Sequence, residues 1–361
     1  MSVSFEIISS IKSYQVDICD NLVNSNGYHP EQKFVLIDQL VLDLYPYLKS
    51  DRLITIPAIE ESKSLETVAY VIETLRSLGA NRNSHLIALG GGIVQDIATF
   101  VSSVFMRGIS WSYYPTTLLG MVDSCVGGKS SINVGQYKNI AGNFYPPDKI
   151  VVATEFCRTL KNVEVIAGLC EAVKICFAHQ GSQFDAFLEL TNQEGIVPEA
   201  SLSKMVELTL LTKKKFIEED EFDTGVRLLL NFGHTFGHAI EAAGNFSITH
   251  GVAVGLGMQM AIQVAYTFSP EVKNNKRVSL LSTYLEKLLR NVPELVGSLK
   301  AISSKDMLTK FQSDKKHTST DYVVIIPDTN GFLVKKHIVK GSEFEALVVN
   351  LFEVIKGTYE V

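Results

Sequence analysis

Along the first 150 residues, short apolar runs alternate with longer segments whose apolar positions recur at helical spacing. Lys33–Asp38 (KFVLID) is an apolar run ended by Asp, the pattern of a buried strand. Ser64–Leu78 repeats apolar residues every three or four positions, and Gly79 behind it is placed to close a helix C-terminus. His85–Leu89 (HLIAL) reads as a second buried strand. It runs into Gly90-Gly91-Gly92, after which Ile93–Phe105 continues as a mostly apolar helix. Ile109–Tyr114 and Ile150–Ala153 read as further strands. Strand alternating with helix predicts a parallel sheet covered on both faces.

Past about residue 155 the pattern changes. Val163–His179, Pro198–Glu219, Gly225–Ala243, Gly251–Phe268 and Ser279–Leu289 all have helical length and period, and only Asp321–Pro327 looks extended. The chain therefore reads as α/β: an N-terminal Rossmann-like parallel-sheet domain over residues 1–155, then a mainly α-helical C-terminal domain over residues 156–361.

Composition narrows the function classes. A length of 361 residues fits two domains. The 33 Lys+Arg against 39 Asp+Glu give a net charge of −6, which argues against nucleic acid as a partner but leaves room for a local cationic site. The five cysteines form no CxxC pair, so neither a disulfide framework nor a cysteine zinc site is indicated, and a cytoplasmic location is the natural expectation. The N-terminus has neither the basic nor the apolar region of a signal peptide. Apolar stretches such as Gly251–Ala265 are interrupted and fall short of a membrane span of about 20 residues, so no membrane partner is expected.

Three groups of residues can carry chemistry. Gly90-Gly91-Gly92 at a strand-to-helix junction, with Asp96 four residues beyond, suits a pyrophosphate, because glycine admits close backbone approach and the helix N-terminus offers free N–H groups. A plain tight turn is the alternative. His234 and His238 in NFGHTFGH fall on one helix face, and His250 follows within 17 residues. Converging imidazoles with a carboxylate, Glu171 or Glu241, would make a metal site; hydrogen-bonded core histidines are the alternative. Finally, Lys129, Lys138, Lys174 and Arg227 lie in apolar or glycine-rich contexts, where a cation is costly unless paired or bound to an anion. Lys213-Lys214-Lys215 reads mostly as a solvated helix face with room for one inward lysine.

The stretches GGGIVQDIATFVSSVFMRG, PTTLLGMVDSCVGGKSSIN, KNIAGNFYPP, GLCEAVK, GVRLLLNFGHTFGHAIE and SDKK resemble, in order and spacing, the 3-dehydroquinate synthases among the sugar phosphate cyclases. The resemblance implies an NAD- and zinc- or cobalt-dependent lyase that converts 3-deoxy-D-arabino-heptulosonate 7-phosphate to 3-dehydroquinate. The implied sequence is transient oxidation, loss of phosphate, reduction and aldol closure. It further implies Glu171, His234 and His250 as metal ligands, which would leave His238 for substrate. Asp38, Glu60, Lys63, Gly91, Gly92, Asp96, Thr116, Thr117, Lys138 and Thr159 would contact NAD. Asp123, Lys129, Asn139, Lys174, Lys213, Arg227, Asn231, His238 and Lys315 or Lys316 would meet substrate. Arg107 would reach the phosphate across a homodimer interface.

The sequence departs from the family's usual pattern at four places: Gln95 in place of a glycine, Val252 in place of a glutamate, Lys161 in place of a proline and Cys170 in place of an alanine. A paralogue using another ketose phosphate, a metal-dependent alcohol dehydrogenase and a catalytically inert scaffold are the competing expectations. The retained Lys129, Lys213 and Arg227 favour a carboxylated substrate.

Overall fold

The structure, a computed structural model, describes residues 3–22, 33–135 and 137–360. Two compact units divide the chain: Met1–Leu160 with Leu202–Glu221, and Lys161–Ser201 with Phe222–Val361.

The first unit contains β1 (Val3–Ile7), β2 (Tyr14–Cys19), β3 (Phe34–Asp38), β4 (Leu53–Ile56), β5 (His85–Gly90) and β6 (Ser110–Pro115). It also holds a hairpin of β7 (Ile132–Val134) and β8 (Tyr137–Ala141), then β9 (Lys149–Ala153). Seven strands form one sheet in the order β1-β2-β9-β6-β5-β3-β4, parallel throughout except where β1 meets β2. Phe34, Val35, Leu36 and Ile37 in β3 are all buried, as the continuous apolar run requires of a strand covered on both faces. Helices α1 (Gln39–Leu44), α2 (Leu65–Ser77) and α3 (Gly92–Val104) follow β3, β4 and β5, and α3 packs along β5, β6 and β3. Ser64 caps α2 by accepting from Thr67 N–H, and Gly79 turns out of it at φ +90°.

The chain then enters the second unit with α4 (Asn162–Ala178) and α5 (Gln183–Glu189). Helix α6 (Glu199–Glu219) carries it back, its residues from Leu202 onward grouping with the first unit. That return is a discontinuity which one boundary near residue 155 does not describe. The second unit continues through α7 (His234–Ala243), α8 (His250–Phe268), α9 (Lys276–Arg290), α10 (Leu295–Ala301) and α11 (Ser304–Gln312). It ends with the antiparallel pair β10 (Asp321–Pro327) and β11 (Leu333–Val339), then α12 (Ser342–Tyr359). Strand β11 adds to the single extended stretch read from sequence. Its middle, Val334–His337, is exposed and carries Lys335, Lys336 and His337, which hides it from an apolar-run criterion.

The periodicity over Gly225–Ala243 predicts one helix, and the structure corrects this. A 3₁₀ segment covers Val226–Asn231, and α7 begins only at His234. Gly233 between them sits at φ +80°, and a Cβ there would lie 2.6 Å from Val254 O. Close backbone approach to α8 therefore sets the break. Among the described residues, α8 is the one helix long and apolar enough to cross a membrane; 78% of its apolar window is buried by the rest of the fold, which makes it a core helix.

Candidate active site

In the first unit, Gly91 is the N-cap of α3 and supplies no side chain to the free N–H groups there. A Cβ at Gly90 would strike Val94 at 2.4 Å, whereas one at Gly92 would meet nothing nearer than Ser124 Oγ at 3.9 Å. The first glycine is thus required by packing, a Cβ at Gly91 would press on Thr117 Cγ2 at 3.0 Å, and of the three only Gly92 has open space beside it. Thr116 N–H donates to Gly90 O at 3.0 Å, and Thr117 Oγ1 accepts from Gly120 N–H at 3.1 Å. Lys63 pairs with Asp96 at 2.7 Å. Burial pushes the Asp96 carboxyl up to about 6 against the pull of Lys63. Asp38, at the end of β3, caps α1 by accepting from Leu40 N–H at 3.1 Å and also accepts from Ala58 N–H at 3.3 Å.

Glu60 gathers a second group. Its Oε1 accepts from Asn133 Nδ2 at 2.9 Å and lies 3.6 Å from Lys138 Nζ. Asn139, at φ +53°, donates its N–H to Asn133 Oδ1 at 2.9 Å and accepts from Ser131 Oγ at 2.6 Å. Thr159 stands apart from these, against Tyr45 Oη at 3.1 Å. Arg107 is exposed at φ +68°, and Lys129 Nζ lies 5.9 Å from the centre of the Phe144 ring.

Lys213 is the inward member of the α6 lysine run. It is buried and holds Asp123 Oδ1 at 2.5 Å. Asp123 rides on a π-turn, Gly120–Ser124, and the unusual Gln95 anchors that turn. Gln95 Nε2 donates to Ser124 O and its Oε1 accepts from Ser124 Oγ, both at 2.6 Å. A glycine there would leave both Ser124 groups without this partner.

The second unit assembles the histidines. Helix α4 presents Glu171 and Lys174 one turn apart, both fully buried and in contact through Glu171 Oε2. Glu171 Oε1 is buried and makes no hydrogen bond. It lies 3.4 Å from His250 Nε2, at the start of α8, and 3.8 Å from His234 Nε2, at the start of α7. His238, one turn along α7, brings its ring to 5.2 Å from His234 and 5.5 Å from His250 between centroids. One nitrogen from each of the three imidazoles lies within 4.8 Å of one from each of the others.

Spacing alone leaves the carboxylate open between Glu171 and Glu241, and the structure separates them. Glu171 meets the Nε2 atoms, whereas Glu241 Oε2 lies 3.1 Å from His250 Nδ1, the outer nitrogen. Val252 is buried, so the carboxylate on His250 Nδ1 comes from α7 and not from position 252. Spacing offers Glu241 beside Glu171, and the family resemblance implies only Glu171 as a ligand. The signal for Glu241 was present in that spacing, three positions past His238 on the same helix.

Electrostatics follow this arrangement. Burial opposes charge on His250, yet Glu171 and Glu241 on either side hold its pKa up to about 10. Burial, then the Lys174, His238 and His250 charges, push His234 well below the ordinary range. His238 keeps an exposed edge, but the protein packed around it, then Lys316 and His250, push it down to about 4. Burial disfavours charge on Glu171 as well, but Lys174 and His250 overcome it and hold the carboxyl well below the usual range. A buried carboxylate oxygen set beside two imidazole nitrogens is a donor set that suits a divalent cation.

Lys316 is half-buried against Asp314 at 3.0 Å and acts electrostatically on His234 and His238, while Lys315 is exposed. Arg227 is buried in the 3₁₀ segment, and Asn231 Nδ2 donates to Leu228 O at 3.2 Å. Two remaining departures have local causes. Lys161 N–H donates to Glu164 Oε2 at 2.8 Å, a bond that proline cannot make, and Cys170 Sγ fills the space beside Gly255 where α4 crosses α8.

Comparison with known proteins bears on this arrangement. Residues 53–167 match the family described as 3-dehydroquinate synthase N-terminal, and residues 168–317 match 3-dehydroquinate synthase C-terminal. The 3-dehydroquinate synthase of Streptococcus equi subsp. equi is 32% identical over 93% of this chain and 96% of its own length. That of Dictyoglomus thermophilum is 38% identical over 64% of this chain and 67% of its own. A crystal structure of 2-deoxy-scyllo-inosose synthase complexed with carbaglucose-6-phosphate, NAD+ and Co2+ superposes with TM-score 0.81 at 22% identity, covering 98% of this chain and 99% of that one. At that identity the likeness is one of fold.

Proposed function

The chain belongs to the 3-dehydroquinate synthase family, and from that membership we propose that it converts 3-deoxy-D-arabino-heptulosonate 7-phosphate to 3-dehydroquinate and phosphate, with NAD and a divalent metal as cofactors. The observation that carries the metal half of this reading is Glu171 Oε1, buried without a hydrogen bond 3.4 Å and 3.8 Å from two imidazole nitrogens. Glu171, His234 and His250 would hold Zn2+ or Co2+, and Gly91, Gly92, Asp38 and the Lys63–Asp96 pair would take NAD. When bound, the metal supplies a Lewis acid for hydroxyl and ketone oxygens, and NAD supplies a hydride acceptor and donor.

The protein's own groups position and shuttle protons. With its pKa near 4, His238 is neutral at physiological pH, so a ring nitrogen can accept a proton from substrate and return it. Lys316 and Arg227 supply positive charge for an anionic substrate, Arg227 as a planar fork and Lys316 as a point charge. Lys129, Lys174, Asn139, Asn231 and the Asp123–Lys213 pair complete the groups assigned to substrate. The same reading carries a cytoplasmic homodimer in which exposed Arg107 serves the phosphate across the interface.

Purified protein supplied with NAD and Co2+ should release phosphate from 3-deoxy-D-arabino-heptulosonate 7-phosphate without lasting absorbance at 340 nm. Sustained NADH accumulation without phosphate release would establish a dehydrogenase instead. Release from another ketose phosphate alone would establish a paralogue.

A further inference from the structure

Helix α7 carries His234, His238 and Glu241 at successive turns of one face. The last of these reaches past the cluster to the far side of His250. There Glu241 Oε2 lies 3.1 Å from His250 Nδ1, while the opposite nitrogen of the same ring lies 3.4 Å from Glu171 Oε1. The two nitrogens of an imidazole point in nearly opposite directions, so a ring engaged at both is fixed in its plane and in its rotation. With Glu241 accepting, a proton stays on Nδ1, and a cation bound between Glu171 and His234 would take the place of the second proton at Nε2. Glu241 is only 19% exposed, so water competes weakly for that bond.

We propose that Glu241 is a positioning residue: it orients His250 and selects the tautomer that presents Nε2 as a ligand. The inference rests on the metal reading given above. It assigns Glu241 no contact with substrate or metal, and its effect passes wholly through the ring of His250. Carboxylates in this relation to a ligating histidine change metal affinity by about 10- to 100-fold.

The test is Co2+ titration of metal-free protein, followed by the visible absorption of the bound ion, with NAD binding measured in parallel. Glu241→Ala should weaken Co2+ binding at least tenfold and shift the visible bands, leaving NAD affinity unchanged. Glu241→Asp keeps the charge but draws the oxygen back, so it should weaken binding as well. Glu241→Gln keeps an acceptor on Nδ1 and should recover most of the affinity. Co2+ binding by Glu241→Ala within twofold of wild type, with an unchanged spectrum, overturns the proposal; Glu241→Asp serves the same purpose if the alanine variant does not fold. Absence of Co2+ binding by the wild-type protein would defeat the metal reading itself. Normal wild-type binding with indifferent variants would defeat only the role given to Glu241.

Discussion

Glu171 Oε1 and His234 Nε2 face each other at 3.8 Å, a carboxylate oxygen without a hydrogen bond against an imidazole that burial holds neutral. Zn2+ or Co2+ should therefore raise the thermal midpoint by mass action, by about 2.7 kcal/mol of stability at a hundredfold excess over Kd. Glu171→Ala and His234→Ala should abolish the shift. Scanning calorimetry with and without metal, and after chelation, reads it directly.

Lys63 and Asp96 make a pair that is 11% and 18% exposed. Lys63→Ala should cost roughly 2 kcal/mol, below the ~3–5 of a fully buried pair because some water reaches it. The sign with pH follows from the raised carboxyl. Asp96 is protonated below about 6 and ionised above it, so the loss in Lys63→Ala should be larger at pH 8 than at pH 5. Asp96→Asn removes the carboxylate but leaves the buried Lys63 ammonium without its partner, so it should cost a comparable amount at pH 8. Urea midpoints at the two pH values decide the matter.

His85 is held down to about 4, chiefly by burial, and its Nε2 lies 2.8 Å from Ser112 Oγ. The unfolded chain binds a proton there near pH 6.5 and the folded one does not. Its contribution is therefore full above 6.5 and is lost as pH falls toward 4. His85→Gln should flatten the stability profile across that window relative to wild type. Parallel slopes for the two proteins would contradict it.

Lys129→Ala and Arg227→Ala should each lower kcat/KM for the phosphorylated substrate by about 10- to 100-fold, in keeping with one lost charge-assisted contact of ~1.5–3 kcal/mol. NAD affinity should hold. Equal loss of NAD binding in either variant would refute the assignment of that residue to substrate.

The sequence by itself determined the elements and chemistry that local pattern specifies. Buried parallel strands such as Phe34–Asp38 and His85–Gly90 announce themselves as apolar runs, because both faces must avoid water. The Gly90–Gly92 junction, the 234/238 histidine spacing and the family motifs were equally legible, since each is a property of consecutive residues. Tertiary structure decided what depends on crossings between distant segments. Contact with α8 broke the predicted 225–243 helix at Gly233, and the solvated strand β11 needed β10 beside it to be recognisable. Most of all, sequence spacing made Glu171 and Glu241 equal candidates. Only the packing of α4, α7 and α8 put one carboxylate against Nε2 of His250 and the other against Nδ1, because ligand geometry is fixed by where three helices meet and not by any one of them.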